Sequence, residues 1–314
     1  MTTCTVNQPA KIKIWLLQTR APFVTASIIP VLVGTCVGVA VSGSFNSILF
    51  SLALGAMICL HLGANLANEY FDHLSGNDRL NKNRNPFSGG SGLIQQGLTS
   101  PGAVLIAAWL AFALTAMTGM VILLITKSAF ILALGLIGIF GGYFYTANPF
   151  RLGYRGAGEI IIAFLFGLLP VYGACFLQTG TIDTLPLAPA IIVSLLIFLV
   201  ILINEFPDRQ ADAAVNKRTL VVLFGPGAAA KIYTLALVAA YAVAITAAIV
   251  QPQMRPAGLL YLLTLPLAGA ILRFLKTDTL AGPDRYRANK FTVLLHATGG
   301  LLMSLGFIIT RTLN

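Results

Sequence analysis

Two polar runs carry most of the acid in this chain. The first reads Asn65-Leu-Ala-Asn68-Glu69-Tyr70-Phe71-Asp72-His73-Leu-Ser-Gly76-Asn77-Asp78. The second reads Asn204-Glu205-Phe206-Pro207-Asp208, with Asp212 four residues on and Asn216-Lys217-Arg218-Thr219-Leu220 after it. If each run is helical, His61, Asn65, Asn68 and Asp72 share one face, at i, i+4, i+7 and i+11. Asn204, Asp208 and Asp212 share another, with Glu205 turned about 100° away from it. Gly76 lets the chain turn and bring Asp78 back beside Asp72. Pro207 either kinks its helix or starts a new one.

Carboxylates repel, so gathering Asp72, Asp78, Asp208 and Asp212 is unfavourable unless a cation sits among them. Hard oxygen ligands suit Mg²⁺, which binds through one or two carboxylates plus phosphate oxygens of a substrate. The nearby bases Arg79, Lys82, Arg84, Lys217 and Arg218 are placed to hold the remaining phosphate oxygens. Acids, magnesium and a basic rim describe a diphosphate site. A plainer reading is that acids near a helix start merely favour its dipole; it is weaker for two clusters matched in position than for either alone. The segment from Tyr143 to Glu159 is aromatic, basic and glycine-rich, and reads either as part of a site or as an interfacial aromatic belt with a tight turn. Residues 85–92 (Asn-Pro-Phe-Ser-Gly-Gly-Ser-Gly) form either a backbone nest for an anion or a flexible loop. His61 and His296 fall in apolar stretches and read as core histidines; His73 is either a site residue or a solvated one.

These groups need a scaffold. Of 314 residues 57% are hydrophobic and 10% charged, too little polar surface for a water-soluble globule. Apolar stretches of about 20 residues recur, the length that crosses a bilayer as a helix. Nine are expected, at 22–42, 46–67, 103–125, 129–149, 157–178, 186–206, 227–250, 256–275 and 291–310, with the acidic runs after the second and sixth. The expected fold is an all-α polytopic membrane bundle in which residues 1–314 form a single domain and polar loops cap a central cavity. With the N-terminus in the cytoplasm, all of the 20 Lys and Arg except Lys127, Arg255 and Arg311 fall on the cytoplasmic side, as the positive-inside rule requires. The C-terminus is then outside, and both acidic runs face the cytoplasm. The net charge of +10 fits that bias and attraction to anionic lipid or substrate, with no nucleic-acid partner. Cys4, Cys36, Cys59 and Cys175 have neither zinc-site nor disulfide spacing and read as buried small residues. No cleavable signal peptide is evident.

At these residues the sequence resembles the UbiA superfamily of intramembrane prenyltransferases. That family carries aspartate-rich motifs after helices 2 and 6 of a nine-helix bundle, the first commonly NDxxDxxxD. Here Asn68 and Asp72 fit, Glu69 takes the second position and Gly76 the last, with Asp78 following. This variant, Asp208-x3-Asp212 with Lys217-Arg218-Thr219-Leu220, and Tyr145 with Pro149…Leu152-x-Tyr154-x-Gly156-x-Gly158-Glu159 resemble the 1,4-dihydroxy-2-naphthoate polyprenyltransferases of menaquinone synthesis. The Ser-Gly-Gly-Ser run stands where many of those enzymes carry arginine. The resemblance implies an enzyme of the inner cell membrane with its site open to the cytoplasm. Asp72, Asp78, Asp208 and Asp212 would hold Mg²⁺ against a polyprenyl diphosphate, with Asp72 and Asp208 catalytic. Asn68 and Asn204 would complete the shells, and Lys82, Arg84, Lys217 and Arg218 would clamp the diphosphate. Tyr145 would shield an allylic cation until an aromatic acceptor attacks, with membrane lipid around the tail. The other acceptors to weigh are 4-hydroxybenzoate, homogentisate or a glyceryl ether lipid. A cation-coupled transporter is the rival class, but transporters place such acids near the bilayer midplane.

Overall fold

The computed structural model describes residues 10–275 and 286–313. Cys4, Lys276, Asp278, Asp284 and Arg285, counted above, lie outside them. The described residues are largely helical, with no strand among them. A short helix α1 (Lys11–Gln18) leads through a 3-10 turn into α2 (Thr25–Ser42). Next come α3 (Ser47–Ser75), the single turn α4 (Asn77–Leu80), α5 (Pro101–Thr126) and α6 (Ala129–Phe144). A run from Gly158 to Thr179 is α7 (Gly158–Ala163), a π-helical turn and α8 (Leu169–Thr179). Then follow α9 (Leu187–Ala214), α10 (Leu220–Val250), α11 (Arg255–Leu262), α12 (Leu265–Leu275) and α13 (Tyr286–Leu313).

Each of the nine apolar stretches expected from the sequence overlies helix, but the lengths differ. Among the described residues seven helices, with the run Gly158–Thr179 taken as one, are long and apolar enough to cross a bilayer, or eight if the pair α11–α12, bent by 51°, is one span. The 129–149 stretch yields only the 16 residues of α6, because the chain leaves the helix at Tyr145 and turns toward Pro149. In α10 the break falls at Gly225, whose φ of 79° is left-handed, just before Pro226. Both give up helical hydrogen bonding there.

Packing follows membrane rules. Small residues let helix backbones touch, as in the Gly34-x3-Gly38 face of α2. A Cβ on Gly38 would lie 2.8 Å from the Cys175 carbonyl of α8, so a larger side chain would force the two helices apart. Helix α3 packs on α5, α9 on α10, and α13 on α2 and α9. Large apolar side chains such as Trp109, Leu110 and Leu114 on α5 point outward, the inverse of a soluble protein. This is a multi-pass membrane protein. Cys36 and Cys59 are half-buried, Cys175 is buried, and all three are free thiols.

What positions the site is the overshoot of α3 and α9. Both run well past the roughly 20 residues a bilayer needs and carry their acidic ends to one end of the bundle. Helix α3 stops at Gly76, where φ is 81°. Helix α9 continues through Pro207 to Ala214, so the proline neither starts a new helix nor ends this one.

Candidate functional site

A cavity of about 170 Å³ lies between the ends of α3 and α9. His61, Asn65, Asn68 and Asp72 all line it, as do Asn204, Asp208 and Asp212, so the two expected faces meet. Asp78 lines it too, brought back by the turn at Gly76. Glu205, on the neighbouring face by its helical angle, is nonetheless buried and reaches the same cavity. Tyr145 closes one wall.

The hydrogen bonds cross between the halves. Asn77 Nδ2 donates to Asp212 Oδ1 at 2.7 Å, and Asn81 Nδ2 to Asp208 Oδ1 at 2.7 Å. The Gly89 amide donates to Asp208 Oδ2 at 3.1 Å. Tyr154 gives its hydroxyl to Asp72 Oδ1 at 2.9 Å. Lys217 Nζ sits between Asp72 Oδ2 at 3.5 Å and Asp212 Oδ1 at 3.6 Å. Asn204 accepts from Asn289 of α13 at 2.8 Å. Glu69, in the second motif position, faces elsewhere. It accepts from the Ser91 amide at 2.6 Å, the Ser91 hydroxyl at 2.7 Å and Gln18 at 3.0 Å. It thereby ties α1 and the loop before α5 to α3.

The loop over 85–92 is an amide nest that receives the protein's own carboxylates, through the Gly89 and Ser91 amides. Gly90, with φ of 67°, lies against Asp78, and a Cβ there would come within 2.7 Å of its Oδ1. The glycines after Tyr145 have a similar cause. A Cβ on Gly153 would meet the Tyr145 ring at 2.7 Å, and one on Gly158 its hydroxyl at 2.9 Å. Tyr154 also carries Arg151 over its ring at 3.7 Å and accepts the Arg218 amide on its carbonyl at 3.3 Å. The aromatic segment thus braces the site instead of serving only as a belt.

Electrostatics mark the crowding. Burial, then the charges of Asp72 and Glu69, pushes the Asp78 carboxyl up to about 8. Burial disfavours the charged form of Lys217, but Asp212 and Asp72 outweigh it and hold the ammonium well above its usual range. Burial raises the Tyr145 phenol, keeping it neutral. Among the described residues no group of three or more His, Cys, Asp or Glu could hold a metal ion alone. The donor set still fits Mg²⁺: it is all carboxylate and amide oxygen, and this ion takes one or two protein carboxylates and fills its octahedron from phosphate and water.

The basic residues separate. Lys217 lines the cavity, while Lys82 and Arg218 are exposed outside its lining. Arg84 spends its guanidinium on the Gly89 and Asp78 carbonyls, at 2.6 and 2.8 Å, and closes the loop. His73 pairs with Gln95 at 3.4 Å. His296 is buried away from the cavity. Sequence reasoning missed Asn77, Asn81, Asn289 and Arg20. Arg20 lines the cavity and donates to the Phe87 carbonyl at 3.1 Å. The density of asparagine in the 77–85 run was the one available signal; Arg20, in a left-handed turn with φ of 51°, carried none.

Residues 27–305 match the UbiA prenyltransferase family. The chain is 28% identical over 311 residues to the 2-carboxy-1,4-naphthoquinone phytyltransferase of Synechocystis sp., covering 95% of this chain and 94% of that protein. It is 33% identical over 184 residues to the 1,4-dihydroxy-2-naphthoate octaprenyltransferase of Mycobacterium tuberculosis, covering 58% of this chain and 60% of that one. Its fold is similar to a UbiA homologue from Archaeoglobus fulgidus bound to GPP and Mg²⁺, with a TM-score of 0.65 and 17% identity over 95% of this chain and 99% of that one.

Proposed function

The chain belongs to the UbiA prenyltransferase family and is a membrane prenyltransferase; we propose that it moves a polyprenyl group from a polyprenyl diphosphate to 1,4-dihydroxy-2-naphthoate in menaquinone biosynthesis. The observation that carries this reading is the convergence of Asp72 and Asp78 with Asp208 and Asp212 on one cavity beside Lys217. The naphthoate relatives support the acceptor.

Asp72, Asp78, Asp208 and Asp212 would hold Mg²⁺, which supplies positive charge against the diphosphate as it leaves. Asn68 and Asn204 orient the carboxylates and the diphosphate. Lys217, already between Asp72 and Asp212, turns an ammonium proton to a phosphate oxygen, and Arg20 offers its remaining N–H groups. Lys82, Arg84 and Arg218 add positive charge around the mouth. The bond from the first prenyl carbon to oxygen breaks, and the neutral Tyr145 ring faces the allylic cation and shields it from water. A ring carbon of the acceptor then forms the new bond and loses its proton or carboxyl group.

The chain acts as one domain in the inner membrane. The placement of 17 of its 20 basic residues supports a cytoplasmic N-terminus, an external C-terminus and a site open to the cytoplasm. The test uses purified protein in lipid nanodiscs with Mg²⁺ and radiolabelled polyprenyl diphosphate. Product should form with 1,4-dihydroxy-2-naphthoate well above 4-hydroxybenzoate. The reverse preference rejects this acceptor.

A further inference from the structure

The cavity has a second polar locus that the carboxylates and bases above do not use. His61 is only 5% exposed, yet neither ring nitrogen has a hydrogen-bond partner. The amide nitrogen of Asn65, one turn along α3, is likewise buried and unpaired. Both side chains line the cavity. Around them the wall is apolar, with Phe166 meeting the imidazole edge-on at 5.6 Å between ring centroids, and Ala64, Ile162 and Ile197 nearby. Buried polar groups in native proteins are nearly always paired, so an unpaired set facing a cavity calls for a partner from outside the chain.

The position along α3 sets what that partner is. His61 stands 11 residues before Asp72 on the same face, about 16 Å along the helix at 1.5 Å per residue. That interval leaves room for a diphosphate and its reacting carbon between the carboxylates and the imidazole. An isoprenoid chain offers no hydrogen bond and would leave all three nitrogens unpaired. A flat ring bearing hydroxyls can pair with one imidazole nitrogen and with the Asn65 amide, and packs against Phe166 with the offset or edge geometry aromatic pairs prefer. We propose that this inner end of the cavity is the acceptor subsite, where His61 accepts a hydrogen bond from a ring hydroxyl and Asn65 donates one to a ring oxygen. A hydroxyl that leans its proton toward imidazole puts more electron density on the ring carbons, which is what attack on an allylic cation requires. The inference rests on reading the site as that of a prenyltransferase.

The test separates donor from acceptor. Binding of radiolabelled 1,4-dihydroxy-2-naphthoate and of a polyprenyl diphosphate with Mg²⁺ is measured by equilibrium dialysis in nanodiscs, alongside KM for each substrate. His61→Phe and Asn65→Leu should each weaken naphthoate binding and raise its KM at least tenfold, leaving diphosphate binding unchanged. His61→Gln, which keeps a hydrogen-bonding tip, should recover most of the loss. The 1,4-dimethoxy analogue should bind wild type weakly and His61→Phe no worse. Unchanged naphthoate binding in both His61→Phe and Asn65→Leu overturns the proposal. So does a loss confined to the diphosphate, which would give the pocket to the prenyl chain. The two readings fail differently: wild type that binds naphthoate through His61 but does not prenylate it rejects the reaction and keeps the subsite.

Discussion

The acidic end of α3 and the acidic end of α9 look like copies in sequence and are built differently. At α3 the helix stops at Gly76, and two of its three acids are served from the same half of the chain, Glu69 by Ser91 and Gln18 and Asp78 by Gln95 at 3.4 Å, while Asp72 alone reaches across to Tyr154 and Lys217. At α9 the helix runs on, and Asp208 takes its hydrogen bonds from Asn81 and Gly89 of the other half. Asp212 depends on Asn77 as well as on Lys217. The second cluster is therefore oriented by the residues that follow the first. The site exists only once the halves have packed, and only the α3 side keeps a carboxylate, Glu69, for purely structural use.

The sharpest way to break this comparison is to remove one carboxylate from each side. Asp72→Asn and Asp208→Asn should each lower turnover on the order of 10²–10³, the scale seen when a charge-stabilising group is lost from an active site. Thermal unfolding should show both variants folded, since loss of a charge from a crowded anionic site relieves repulsion. Near-normal turnover in both would sink the metal–diphosphate reading of these carboxylates.

A pH effect should follow from Asp78. Its carboxyl is raised to about 8, so in the empty site near neutrality it holds a proton, and holding a cation requires that proton to leave. Affinity for Mg²⁺ with diphosphate should rise by up to about tenfold per pH unit toward 8 and then level off. Isothermal titration in buffers of different ionisation enthalpy should detect the released proton. The stability of the empty protein should run the other way. A raised carboxyl stabilises the folded state at low pH, and that contribution fades as pH climbs from the ordinary carboxylate range through about 8. Asp78→Asn should flatten both trends; a flat wild-type profile would remove Asp78 from the cation site.

The crossed hydrogen bonds give a smaller effect. Asn81→Ala and Asn77→Ala leave the α9 carboxylates charged but unsteadied. Each should cost about 1–3 kcal/mol of stability and lower kcat several-fold, with part regained at high Mg²⁺. Ser91→Ala, on the α3 side, should cost similar stability and hardly touch kcat. If Ser91→Ala hurt kcat as much as Asn81→Ala did, the division between the two ends would be false.

The sequence made the two faces legible because period alone decides which side chains share a side of a helix, and His61, Asn65, Asn68 and Asp72 did line one wall. The turn at Gly76 was legible for the same local reason. Glu205 lies about 100° off the face, as the helical wheel has it, and still lines the cavity, because the cavity wraps around α9 and takes in the neighbouring side chain. The partners of Asn77 and Asn81 were not legible, because a density of asparagines does not say which helix each residue meets across a fold. Arg84 looked like a phosphate ligand by charge, but its neighbours Gly89 and Gly92 let a loop close around it. The length of α6 and the bend before Pro266 depend on local breaks that a count of apolar residues averages away.

The smallest expected effect separates the bases by burial. Lys217 has a side chain only 15% exposed and sits between two carboxylates. Lys82 and Arg218 are exposed outside the cavity lining. Charges in water are screened over about 8–10 Å at ordinary ionic strength and contribute little to any one contact. What they retain is a long-range pull on an approaching anion, which acts on encounter and not on turnover. Lys82→Gln and Arg218→Gln should therefore raise the KM for the polyprenyl diphosphate about two- to threefold at low salt, and the difference should vanish near 0.5 M salt, roughly where screening falls to a few ångströms. Lys217→Gln should raise it more, lower kcat, and keep both effects at high salt, because its partners lie inside the cavity. Steady-state kinetics across a salt series distinguishes the cases. A salt-resistant loss in Lys82→Gln or Arg218→Gln would mean that the mouth closes over the diphosphate when it binds and brings these side chains into direct contact with it.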